Sequence, residues 1–151
     1  MIDIDILKKT RENFSLIINQ YSLAQLNYIP TGFKNNLLWN YGHIVVTQQL
    51  LCYKLSGLEM TIPVNFIEEY KKGTVPSKTY TEADKKEIEL LAKETITQFE
   101  KDLQSGIFTS YQSYTNTLGV ALNTIHDAIS FNDFHEGLHL GYIMSMKRFI
   151  K

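Results

Sequence analysis

Asn36-Leu-Leu-Trp-Asn-Tyr-Gly-His-Ile-Val-Val-Thr-Gln-Gln-Leu-Leu-Cys-Tyr-Lys-Leu-Ser-Gly57 decides the fold class. It opens on Asn35 or Asn36, either of which caps free helix N–H groups, and it ends at Gly57, a residue suited to a left-handed stop. Between them Trp39, His43, Val46, Leu50 and Tyr53 recur at helical spacing, giving one inward stripe. The only prolines, Pro30, Pro63 and Pro76, fall outside this and the other periodic stretches, which divides the chain into helices rather than short strands.

Upstream, Leu7, Phe14, Ile17, Ile18 and Tyr21 predict an amphipathic helix from Asp5 to about Leu26. Downstream, a third helix follows Thr81, with Asp84 as the acidic partner of its cap and a stripe of Ile88, Leu91, Thr95, Phe99 and Leu103. A fourth runs from near Asn123 to Phe149, with Lys147 and Arg148 at its negative end. Four such helices bury their stripes against one another, so the expected fold is an all-α four-helix bundle, one domain over residues 1–151. The connectors of about 24 and nearly 20 residues are too long for a simple up-down-up-down bundle, so at least one crosses over. Within the first, the segment beginning Asn65-Phe-Ile-Glu-Glu-Tyr suits a short extra helix; the second is rich in hydroxyls, and no sheet is expected.

Composition excludes several function classes. Fifteen basic and 16 acidic residues give a net charge of −1, which leaves no footprint for nucleic acid. A single cysteine, Cys52, excludes an internal disulfide and multi-cysteine zinc modules. The absence of a signal-like start and of any long apolar run predicts a soluble, cytoplasmic protein without a membrane span.

The histidines carry the chemistry. His135 and His139, four apart, share the helical face of Ala128, Asn132, Ile143 and Met146, and His43 lies on the stripe of the second helix. Three neutral imidazoles converging from two helices form an open divalent-metal site. His126 and Cys52 lie nine residues from His135 and His43 and face elsewhere. Gly42, Gly137 and Gly141, beside the histidines, indicate close backbone approach, room at the site or tight helix packing. His135-Glu-Gly-Leu-His139 also matches the zinc-peptidase pattern H-E-x-x-H, with Glu136 as general base. The peptidase reading fails, because the 12 residues after His139 include neither histidine nor acid. Glu136, about 100° around the helix from His135, stays a candidate general base, with Tyr111, Tyr114 and Asn132 as candidate pocket residues.

Trp39-Asn-Tyr-Gly-His43, combined with His135-Glu-Gly-Leu-His139-Leu-Gly-Tyr-Ile143, resembles the DinB/YfiT-type four-helix bundles. Asn35-Asn-Leu-Leu-Trp39, Glu68-Glu-Tyr-Lys-Lys-Gly-Thr74 and the Tyr114 to Gly119 approach extend the likeness along the chain. The resemblance implies an up-down-down-up arrangement, a divalent metal (zinc or nickel) on His43, His135 and His139, and a homodimer. It further implies an enzyme that activates water or a small thiol, a hydrolase or a thiol S-transferase with a small-molecule substrate. No basic cluster near the motifs is evident for an anionic thiol cofactor. The competing expectation is a non-catalytic stress-response or partner-binding bundle with a structural or vestigial site.

Overall fold

The computed structural model describes residues 2–151. Six α-helices are present among them: α1 (Asp5–Ile18), α2 (Leu23–Asn27), α3 (Leu37–Cys52), α4 (Val64–Tyr70), α5 (Glu82–Ser105) and α6 (Ile125–Met146). Local chemistry sets their limits. The Asn36 side chain accepts from the Trp39 N–H at the start of α3. Thr81 with Asp84, and Thr124 with Asp127, form capping boxes at α5 and α6. Gly106 ends α5 in the left-handed region at φ 71°.

The long first helix expected to about Leu26 is two helices. Its periodicity stops at Ile18, and Ser22 starts α2 with its own capping box to Gln25. No lone stripe exists on α3 either: residues on every side of it are buried, Ile44, Val45, Gln48 and Cys52 as completely as Val46, while Leu50 is only half-buried. It is the central helix of the bundle. The hydroxyl-rich connector contains a small antiparallel ribbon where no sheet was expected, β1 (Tyr114–Thr115) on β2 (Ala121–Leu122).

Helices α1 and α3 each pack against both α5 and α6. Lys8 near the start of α1 meets Glu100 near the end of α5, and Asn19 after α1 meets Glu89 early in α5, so α1 and α5 are antiparallel. Tyr53, just past α3, bonds Asp102 late in α5, which makes those two parallel. Leu51 and Cys52 share a core cluster with Ile125 and Ile129 at the start of α6, so α3 opposes α6. The order is therefore up-down-down-up, with residues 53–81 and α4 crossing between the two parallel helices. A main core gathers Phe14, Ile18, Leu38, Tyr41, Ile44, Phe66 and Ile143; a second gathers Leu7, Cys52, Phe99 and Ile129. None of the described helices is long and apolar enough to cross a membrane.

Candidate metal centre

The crossover carries α4 back over α3, and Gly42 is what lets it come close. A Cβ at Gly42 would stand 2.5 Å from the Tyr70 ring. That approach brings the Tyr70 carbonyl to 2.8 Å from His43 Nδ1. One turn later Thr74 Oγ1 accepts from the Trp39 indole N–H at 3.1 Å, and the Trp39 ring stacks on His43 with centroids 4.7 Å apart. Residues 70–74 thus fasten His43 from two sides.

His43, His135 and His139 come together across α3 and α6. Their ring centroids are 5.2, 4.8 and 4.6 Å apart, and one nitrogen from each lies within 4.8 Å of the others. A carbonyl only accepts, so His43 Nδ1 must be the protonated nitrogen, and its Nε2 keeps a lone pair. His139 Nδ1 likewise donates to Asn40 Oδ1 at 2.8 Å. The Asn40 orientation is fixed because its Nδ2 donates to the Asn36 carbonyl and to Asn35 Oδ1. Two of the three imidazoles are therefore held in the Nδ1–H tautomer with Nε2 unprotonated, the outer-shell arrangement of a metal-binding histidine. Nδ1 of His135 is buried with no hydrogen-bond partner, which is unfavourable unless something else engages it. With Nδ1 protonated, the Thr47 hydroxyl donates to the lone pair of His43 Nε2 across a long 3.4 Å.

Burial drives all three histidines toward the neutral form. It holds His43 below its ordinary value, against the Tyr70 hydrogen bond, with the charge of Lys72 acting in the same sense as burial. His135 is pushed down to about 2 by burial, then by its two histidine neighbours, Lys72 and Arg11. His139 is pushed down to about 3 by burial and by His43. Neutral imidazole is the ligating form. Ligation at about 2.0–2.1 Å asks each nitrogen to move inward by less than about 1 Å from this spacing. The residues fit a divalent ion.

Glu136 does something else. It sits at the middle of the inward face of α6, with Asn132 and Ile143, and is completely buried. The 100° between it and His135 carries its carboxylate into the core instead of to the edge of the site. There Arg11 grips both oxygens, Nε to Oε2 and an Nη to Oε1, each at 2.7 Å, and Asn132 Nδ2 donates to Oε1 at 3.1 Å. Arg11 also donates to the carbonyls of Ala92 and Ile44, so the pair joins all four long helices. Burial pushes the Glu136 carboxyl up and Arg11 pulls it back; three N–H donors on its two oxygens favour the ionised form. A carboxylate so engaged is not free to take a proton, which corrects its expected role as general base.

None of the other expected pocket residues is among the hydrogen-bond partners of the three histidines. Tyr111 donates to the Leu51 carbonyl beside the second core cluster, Tyr114 is exposed on β1, and Asn132 serves Glu136. His126 is apart from the other three, as expected: it lines a groove of about 790 Å³ with Ile2, Asp3, Lys8 and Glu100 at the far end of the bundle. Cys52 is completely buried, and burial pushes its thiol up. Gly137 and Gly141 face open space, so neither close approach nor helix packing within the chain explains them. Sequence reasoning missed Asn40, the Tyr70 carbonyl, Lys72 and Arg11. The last had a signal, since Arg11 falls on the spacing of Leu7, Phe14 and Ile18, and a charge on an apolar stripe needs a buried partner.

No curated protein matches the sequence. Residues 6–143 match the family model of the DinB superfamily. With that match over nearly its whole length, on an up-down-down-up bundle whose three histidines converge, the chain belongs to the DinB superfamily.

Proposed function

We propose that the protein is a metal-dependent enzyme, a hydrolase or small-thiol S-transferase, with His43, His135 and His139 holding one zinc or nickel ion. The observation that carries this reading is the triad itself, in which neutral rings are oriented by the Tyr70 carbonyl and Asn40. A divalent ion on three protein ligands supplies Lewis acidity that lowers the pKa of a bound water or thiol towards the neutral range. The chain's own part is to keep the imidazoles unprotonated, to fix their tautomers, and to shield one side of His43 with the Trp39 ring. With Glu136 committed to Arg11, no carboxylate belongs to the cluster, which favours chemistry whose nucleophile is activated without a protein carboxylate base.

Metal analysis of protein purified without a nickel column tests the reading. About one zinc or nickel per chain is expected, with turnover of a thiol plus an electrophilic acceptor, or of an ester or amide. Stoichiometry near zero with no affinity for either added ion overturns it. A bound ion with no turnover in either assay favours the non-catalytic alternative. A cytoplasmic setting is part of the same proposal, favoured by the single, unpaired Cys52.

A second copy of the chain is the partner we infer for the outer face of α6. Phe134, Leu138 and Tyr142 recur there every four residues, all exposed, beside Gly137 and Gly141. Light scattering should give a dimer for the wild type and a monomer for Leu138→Glu; a monomeric wild type contradicts the inference.

A further inference from the structure

The sequence offers no basic cluster beside the histidine motifs, yet the fold delivers one cation there. Lys72 belongs to the 70–74 segment that is tied at one end to His43, through the Tyr70 carbonyl, and at the other to Trp39, through Thr74. Its ammonium donates at 3.1 Å to Thr117 Oγ1, in the turn between β1 and β2, so it bridges the crossover segment and the hairpin. Its charge bears on both His43 and His135. Among the described residues no carboxylate lies within ion-pair reach of Lys72, unlike its neighbour Lys71, which is paired with Glu68.

An ammonium has three N–H donors, of which Thr117 takes one. The Thr117 hydroxyl, accepting from Lys72, keeps its own proton to give. Two donor groups therefore stand together on an exposed rim beside the triad. The electrostatics point the same way: three neutral imidazoles cancel none of a dication's charge, and Lys72 adds to it. Such a site is unsuited to cationic ligands and favours anionic ones.

We propose that Lys72, with Thr117, selects the substrate by its charge, receiving a carboxylate or similar oxyanion while the reacting atom of the same molecule faces the three histidines. This inference rests on the triad being a metal site. Lys72 is a specificity residue, which touches the part of the substrate that does not react.

The test uses full-length protein loaded with cobalt and titrated with two small thiols, mercaptoacetate and 2-mercaptoethanol, followed by visible absorption. The two differ chiefly in a carboxylate against a hydroxyl. The wild type should prefer mercaptoacetate, and Lys72→Met should lower that preference by about two- to five-fold, the range for an exposed ion pair. Lys72→Arg should retain it, and added salt should shrink it in the wild type. Cobalt uptake by Lys72→Met should be at least equal to that of the wild type. Uptake of cobalt without any preference for the carboxylate, or with a preference that survives Lys72→Met, overturns the role of Lys72 alone. Failure to take up cobalt at all overturns the metal site, and this inference with it.

Discussion

His135 and Glu136 are consecutive residues of α6, and the fold gives them opposite situations. Glu136 is buried completely and has more donors than it has oxygens. His135, one position earlier, has a buried ring nitrogen with no partner and two further imidazoles facing it. A carboxylate with both oxygens engaged holds a bundle together, while an orphaned ring nitrogen that faces other imidazoles is a place for a ligand. The comparison teaches that H-E-x-x-H on a helix does not by itself assign chemistry to its glutamate. The helix rotates successive residues by about 100°, and which of them faces the site depends on what packs against the other side.

The largest effect should come from breaking the Arg11–Glu136 pair. Glu136→Ala leaves the Arg11 guanidinium buried without a counter-charge, and should cost about 3–5 kcal/mol in urea denaturation. A loss below about 1 kcal/mol would mean that the pair does not tie the helices. Next comes the histidine side. Asn40→Ala removes the acceptor that fixes the His139 tautomer, and zinc affinity should fall about 10- to 100-fold by calorimetry. An unchanged affinity would leave Asn40 a packing residue.

A pH effect sharpens the contrast further. The three histidines are held below the ordinary 6.5 in the fold, His135 at about 2 and His139 at about 3, and return to it when the chain unfolds. Below pH 6.5 the unfolded chain binds more protons than the folded one, so metal-free protein loses stability as pH falls from 6.5 toward 3, and has that contribution in full above 6.5. Urea midpoints should drop between pH 7 and pH 5. The drop should be smaller in His135→Gln/His139→Gln; an equal drop would place its origin elsewhere. The smallest effect should come from replacing both partners of the buried pair. Arg11→Met/Glu136→Met/Asn132→Leu, which also removes the amide that loss of Glu136 would leave without a partner, replaces the network by apolar side chains and should change stability by no more than about 1 kcal/mol or raise it. A loss as large as that of Glu136→Ala would contradict this account of the pair.

What the sequence made legible follows from local rules. The i, i+4 spacing puts His135 and His139 on one face whatever surrounds them, and Thr81 with Asp84 marks the start of α5 in any context. His43 was legible as a candidate because it lies in a capped helix, although its stripe was an artefact of a helix buried all round. The break after Ile18 had a local signal in Ser22 and Gln25, overlooked because apolar residues continued through Tyr21 to Leu26. Long-range pairings were hidden. Arg11 and Glu136 are 125 residues apart, and Lys72 reaches Thr117 across 45. No periodicity relates such residues; only the crossover and the hairpin bring the second pair together. Glu136 was misjudged for the same reason, since its inward rotation is set by α1 and α3 packing on α6, which spacing along one helix does not contain.

The central claim is that one divalent ion is held jointly by residues from two helices. Zinc titration of metal-free protein by calorimetry, run on the wild type and on His43→Ala, His135→Ala and His139→Ala, tests it directly. The account predicts one ion per wild-type chain and a loss of at least about 100-fold in affinity in each variant, including His43→Ala, which leaves the paired histidines of α6 intact. Full affinity in His43→Ala, or no uptake by the wild type, would contradict it.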